Sequence, residues 1–230
     1  INTTNSPVTQ LGSNSTIEYT SPTTQNITAR TDYANVTLSG GSKTLPSGNL
    51  NISRNLTINN GSTYNGSTNN PVLNVKGNFI NYGTFTQGSG VVTLNGSSIQ
   101  TIVGSTVFNN LTINNLYGVE TNYDLTVNGI LSLSSSNPTI NKGTLAMLET
   151  SELLMGANAT TVGIGDVSGI ITRNAFNLIT TYSFGNQYTS LYFPTGSTLP
   201  SSVSFKVNLS IPTWKTNAIS RYYSIIQTGG

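Results

Sequence analysis

The chain contains no cysteine and no histidine, and only 7% of its 230 residues are Asp, Glu, Lys or Arg. An ordinary soluble domain carries about 25%. Without cysteine there is no disulfide scaffold, no thiolate nucleophile and no thiolate-held zinc or iron–sulfur site. Without histidine the commonest general base and the commonest metal ligand are missing. Nine basic and seven acidic residues leave a net charge of +2, too little to attract nucleic acid. The apolar runs stop at four or five residues, far short of a membrane span. These deficits predict no cofactor, no metal site and no catalytic residue, with neither nucleic acid nor membrane as a partner.

Ser, Thr and Asn take the vacated share, about two-fifths of the chain, far above ordinary usage. The hydrophobic 35% is dominated by Ile, Val, Leu, Tyr and Phe, which favour strands. Disordered chains couple low hydrophobicity to high net charge, and this chain does not. Ile1 is not a start methionine, so a processed product is expected, with a secretory signal removed. The uncharged, Thr- and Asn-rich, cysteine-free composition points to an extracellular location.

Short apolar/polar alternations recur along the chain: Val36-Thr37-Leu38, Leu50-Asn51-Ile52, Leu56-Thr57-Ile58, Leu73-Asn74-Val75, Leu111-Thr112-Ile113, Leu125-Thr126-Val127 and Leu131-Ser132-Leu133. A period of two sends one set of side chains inward and the other to water. Asn and Gly punctuate the strands, at Asn59-Asn60-Gly61, Lys76-Gly77-Asn78, Asn95-Gly96 and Asn128-Gly129. Both residues tolerate the left-handed backbone of tight corners. Units of the form Asn/Asp-Leu-X-Ile/Val begin at Asn55, Asn110 and Asp124, with related segments at Val72 and Val91, at spacings of 14 to 19 residues. Such spacing approximates one coil of a parallel β-helix. Sliding the chain by 75 residues lays Ile17–Ile58 over Val92–Leu133 with the apolar positions coinciding, which reads as a duplication. A sandwich of two duplicated halves would give the same offset.

Beyond Ile170 the character changes. Ten of the nineteen aromatic residues lie there, and Ser202 to Ile211 alternates over a longer strand, with Val203, Phe205, Val207 and Leu209 on one face. The expected fold is all-β: an N-terminal extended segment (1–11), a duplicated β-solenoid or β-helix-like body (12–170) and a C-terminal antiparallel β-sandwich-like module (171–230). Only Leu145 to Met155 has helical spacing, and a pair of strands fits it equally well.

The segments Ser15-Thr16-Ile17-Glu18-Tyr19, Gln25-Asn26-Ile27, Tyr33-Ala34-Asn35-Val36-Thr37-Leu38-Ser39-Gly40 and Lys43-Thr44-Leu45 run in an order echoed by Val92-Thr93-Leu94-Asn95-Gly96, Gln100-Thr101-Ile102 and Phe108-Asn109-Asn110-Leu111-Thr112-Ile113-Asn114. In this the chain resembles the repeat regions of large secreted bacterial adhesin-like surface proteins, of the kind exported with a type IX sorting domain. Phe193-Pro194-Thr195-Gly196 and Arg221-Tyr222-Tyr223-Ser224-Ile225 look like the segments that close such arrays. The resemblance implies an extracellular structural or adhesive role without catalytic residues. The chain differs in having two copies and no visible sorting domain, which favours a small self-assembling subunit.

Three kinds of candidate site follow. A β-helix carbohydrate-active enzyme needs clustered carboxylates. Of Glu18, Asp32, Glu120, Asp124, Glu149, Glu152 and Asp166, stacking would have to bring Glu120 and Asp124 to Glu149; scattered, solvated acids are the plainer expectation. A glycan-binding adhesin domain would use Tyr182, Tyr188 and Tyr192, although alternation of Tyr182 with Phe184 is also an ordinary core pattern. The Asn-X-Ser/Thr triplets at Asn35, Asn55, Asn110, Asn158 and Asn208 are read as corner asparagines rather than glycosylation sites. For self-assembly, an open sheet end offers unpaired backbone groups, and no charged or helical cap is visible at either end. The uncharged terminal segments, with Ile1 and Val8 at one end and Tyr222, Tyr223 and Ile225 at the other, are candidates for head-to-tail or strand-donation contacts between copies.

Overall fold

The computed structural model describes residues 10–134, 143–208 and 222–230. All regular structure among them is strand. The chain winds into a stack of parallel strands in about seven coils, each with three sides. The first coil holds β1 (Thr16–Tyr19) and β2 (Gln25–Asn26), and its third side is a single bridge from Tyr33 to Ile52. Next come β3 (Asn35–Leu38), β4 (Ser42–Thr44) and β5 (Asn49–Ile52), then β6 (Leu56–Ile58), β7 (Thr63–Asn65) and β8 (Val72–Val75). The fourth coil is β9 (Phe79–Asn81), β10 (Thr84–Thr86) and β11 (Val91–Leu94), and the fifth β12 (Gln100–Val103), β13 (Thr106–Phe108) and β14 (Asn110–Ile113). The sixth is β15 (Val119–Thr121), β16 (Leu125–Val127) and β17 (Ile130–Leu133), and the seventh β18 (Thr144–Met147), β19 (Glu152–Met155) and β20 (Thr160–Val162).

Stacking in register aligns like parity with like parity, so inward side chains form columns. On the third side Leu50, Leu73, Val92, Leu111 and Leu131 lie one above another, beside Ile52, Val75, Leu94, Ile113 and Leu133. All ten are buried. On the first side Val36, Leu56, Phe79 and Ile102 do the same. Aromatic rings fill the middle, where Phe79 packs on Phe85 and Phe108 with centroids 5.2 and 5.5 Å apart. The hydrophobic effect thus acts along continuous columns rather than around one centre.

The strands are short because corners follow every three or four residues, and the corners are crowded. Gly104 turns the chain from β12 into β13 with φ +88°, and a Cβ there would lie 1.8 Å from the Asn81 carbonyl oxygen of the coil below. No other residue fits.

The stack ends at β21 (Asp166–Arg173), a longer strand that serves two sides. Its first half pairs with β18 and its second half with β19, and Gly169, at φ +98°, takes the corner between them. β21 then pairs antiparallel with β24 (Ser202–Asn208), which pairs antiparallel with β25 (Tyr222–Thr228). A hairpin of β22 (Thr180–Ser183) and β23 (Ser190–Phe193) lies alongside.

The all-β solenoid with antiparallel strands at its C-terminal end is therefore as expected. The boundary at residue 170 falls inside β21, which belongs to both parts. Leu145–Met155 is two strands, β18 and β19, joined by a turn. The 75-residue shift moves β1 and β3 of the first side onto β11 and β14 of the third. It matches because every side uses one alternation, so the repeating unit is the coil and not a duplicated half. Stacked residues lie 18 to 23 apart in sequence, rising to 26 to 30 between the sixth and seventh coils. Ile1, Val8, Leu209 and Trp214 lie outside the described residues.

Candidate functional site

The Asn/Asp-Leu-X-Ile/Val units prove to be staples between coils. Asn55 Oδ1 accepts a hydrogen bond from the Asn78 N–H at 2.8 Å, Asn110 Oδ1 from Ile130 N–H at 2.9 Å, and Asp124 Oδ1 from Glu152 N–H at 2.9 Å. The three units lie on three different sides, which explains their irregular spacing. At one corner the staples run on as a ladder: Asn35 accepts from Asn55 N–H, Asn55 from Asn78 N–H, and Asn78 from Thr101 N–H. Each bond satisfies a backbone donor that the corner takes out of the strand ladder. The side-chain amides of Asn35 and Asn110 also donate to backbone carbonyls of the coil below.

Two cations lie inside the stack, and neither was foreseen. Lys43 and Arg173 are both fully buried. Gln25, Lys43, Tyr64 and Phe85 form the inner column of the second side at the N-terminal end, and the column Phe108, Val127, Met155 finishes on Arg173. Lys43 Nζ donates to the carbonyls of Ser21 at 2.8 Å and Gly41 at 3.0 Å. Arg173 donates to the carbonyls of Ser183, Gly156 and Ala159 at 2.9, 2.8 and 2.5 Å, with the rings of Tyr182 and Phe184 5.3 and 5.7 Å from its guanidinium carbon. Desolvation lowers both pKa values, that of Arg173 to about 10, which leaves it charged at neutral pH. The signal was present in the sequence: Lys43 shares the inward parity of Leu45, and Arg173 that of Ile171.

Beyond Arg173 the C-terminal end of the stack is covered by antiparallel strands and aromatic side chains, not by a charged or helical cap. Phe184 stacks on Phe205 at 4.3 Å, and Phe176 packs on Tyr182 and Phe193. This corrects the reading of Tyr182 as a glycan contact: it is buried, and its hydroxyl accepts from Asn177 N–H at 2.5 Å. Tyr188 and Tyr192 are exposed, at 75% and 54%. On β25, Tyr222 is half-buried, Tyr223 reaches Thr189 with its hydroxyl, and Ile225 is 58% exposed.

The acids do not gather as the enzymatic reading required. Glu120 points outward on the first side, stacked under Ala146. Asp124 lies one coil below Glu152, and Glu149 occupies the turn between β18 and β19. Glu18 accepts from Ser39, Asp166 from Asn186, and Asp32 pairs with Arg30 at 2.7 Å. That pair and the Leu11 N–H hold the Asp32 carboxyl down at about 2. Among the described residues no three His, Cys, Asp or Glu side chains are placed to hold a metal ion, and no helix could cross a membrane. No protein-family model, curated protein or solved structure matches the chain.

Proposed function

We propose that the chain is a secreted bacterial structural module, a subunit of a surface filament or adhesin fibre that assembles head to tail by strand addition. One observation carries this reading: among the described residues β25 is a seven-residue edge strand, Tyr-Tyr-Ser-Ile-Ile-Gln-Thr, with no charge, no proline and Ile225 and Ile226 58% and 65% exposed. Soluble proteins blunt such edges with charges, prolines or bulges. At the opposite end β1 is the outermost strand of its side among the described residues. An edge at each end supports a contact that does not close on itself, and such contacts give fibres. The low net charge lets copies approach without strong repulsion.

The test is electron microscopy and mass measurement of the full chain, alongside the variant Ile225→Lys/Ile226→Lys. Filaments from the parent chain and monomers from the variant are expected. A parent chain that stays monomeric at high concentration overturns the reading. A second reading, glycan adhesion, draws on the exposure of Tyr188 and Tyr192.

A further inference from the structure

The N-terminal half carries a cleft of about 500 Å³ on its third side. Its floor is the outer surface of β5 and β8, and its walls are the chain around Gln10 to Ser13 and the turn at Asp32. Asn51 and Asn74 face each other across adjacent strands, and Asn74 Nδ2 donates to Asn51 Oδ1 at 2.8 Å. That bond leaves a donor on Asn51 and an acceptor on Asn74 free among the described residues. Lys76 and Asn95 follow the paired Val75 and Leu94. Lys76 is exposed and has no ion-pair partner among the described residues. Asn95 Oδ1 is covered and has no hydrogen-bond partner among the described residues.

The electrostatic balance of the cleft is one-sided. Its acid, Asp32, is already neutralised by Arg30, so the Lys76 ammonium dominates. Two carboxamides, Asn51 and Asn74, lie one strand spacing apart on the floor, about 4.8 Å, close to the repeat of a chain of pyranose rings, and the hydroxyl-bearing Thr93 follows in the same column. Carboxamides offer a donor and an acceptor together, which suits ring hydroxyls, and an ammonium suits a carboxylate.

We propose that this cleft binds an acidic oligosaccharide, with Lys76 on a sugar carboxylate and Asn51 and Asn74 on ring hydroxyls. The proposal deepens the glycan reading on a surface away from Tyr188 and Tyr192, and it does not depend on filament formation.

The experiment titrates the full chain with a galacturonate hexamer by calorimetry, with cellohexaose and a glutamate hexapeptide as comparisons. The galacturonate hexamer is expected to bind and the other two are not. Lys76→Met is expected to weaken binding on the order of tenfold, and rising salt to weaken binding to the parent chain. Asn74→Asp, which keeps the side-chain shape and adds a repelling charge, is expected to weaken it as well. Circular dichroism and thermal melts establish that each variant is folded. No saturable binding at millimolar hexamer, equal binding of cellohexaose or the peptide, or unchanged affinity in folded Lys76→Met would overturn the proposal. Filament loss in the β25 variant without loss of hexamer binding separates this site from the assembly reading.

Discussion

The two ends of the stack meet one physical difficulty with different side chains. Near each end of the stack a buried cation gathers corner carbonyls, and a buried carbonyl is ordinarily paired. At the N-terminal end Lys43 supplies a compact ammonium to two of them, with a further coil still outside it. At the C-terminal end Arg173 spreads a planar guanidinium over three carbonyls between two aromatic rings, under antiparallel strands. Lysine is a point charge on a flexible stem, whereas arginine holds its donors in a fixed fork. Among the described residues neither cation has a carboxylate partner, and carbonyl dipoles hold each in the core, joined at Arg173 by two aromatic rings. The fork belongs where the stack must finish, because it fixes the directions of several chain segments at once.

Breaking the C-terminal device should have the largest effect. Arg173→Met takes the guanidinium from three buried carbonyls, of which Gly156 O keeps the Ala159 N–H, and should cost about 2–4 kcal/mol, read as a lower urea midpoint at pH 7. Arg173→Lys should recover part of the loss, and full recovery would show that fork geometry is immaterial. Lys43→Met conserves the stem and removes one donor from each of two carbonyls that keep another, Ser21 O from Gly41 N–H and Gly41 O from Thr63 N–H, so about 1–2 kcal/mol is expected. The two sites share no partners, and the double variant should add to within about 0.5 kcal/mol. Asn55→Ala removes one staple between the ends, and about 1 kcal/mol is expected.

The smallest effect concerns acid at the N-terminal end. The carboxyl of Asp32 is lowered from 3.8 to about 2 in the folded chain. A depressed acid contributes stability that is complete above its unfolded value and lost as pH falls through its folded one. The melting temperature should therefore drop between about pH 4 and 2, and Asp32→Asn should flatten that part of the profile. An unchanged acid limb in the variant would remove the Arg30 pair from any role in holding the first coil.

The columns of the body were legible because alternation is local: each Leu-X-Ile triplet declares its own inward face without reference to its neighbours. Coil membership was not, since all three sides use the same triplet and only stacking tells β1 from β11. The staples at Asn55, Asn110 and Asp124 were visible as a motif while their hydrogen bonds were not, because the partner lies about twenty residues away, in the next coil. Lys43 and Arg173 escaped because charge was read as a surface property although both sat at inward positions. Tyr182 was ambiguous in sequence, since a strand's parity does not say which face meets the core.

The doubled duty of β21 has a mechanical consequence. That strand is held by β18, β19 and β24 together, whereas among the described residues the strands of the first coil pair with the next coil alone. Tension along the axis would peel the molecule from the N-terminal end. A coil of about twenty residues pulled straight yields about 70 Å of length, and the next coil stays folded until its own turn comes. A fibre of such subunits would lengthen stepwise under load and keep its C-terminal joints intact, so that a sudden pull is spent on unwinding rather than on detachment.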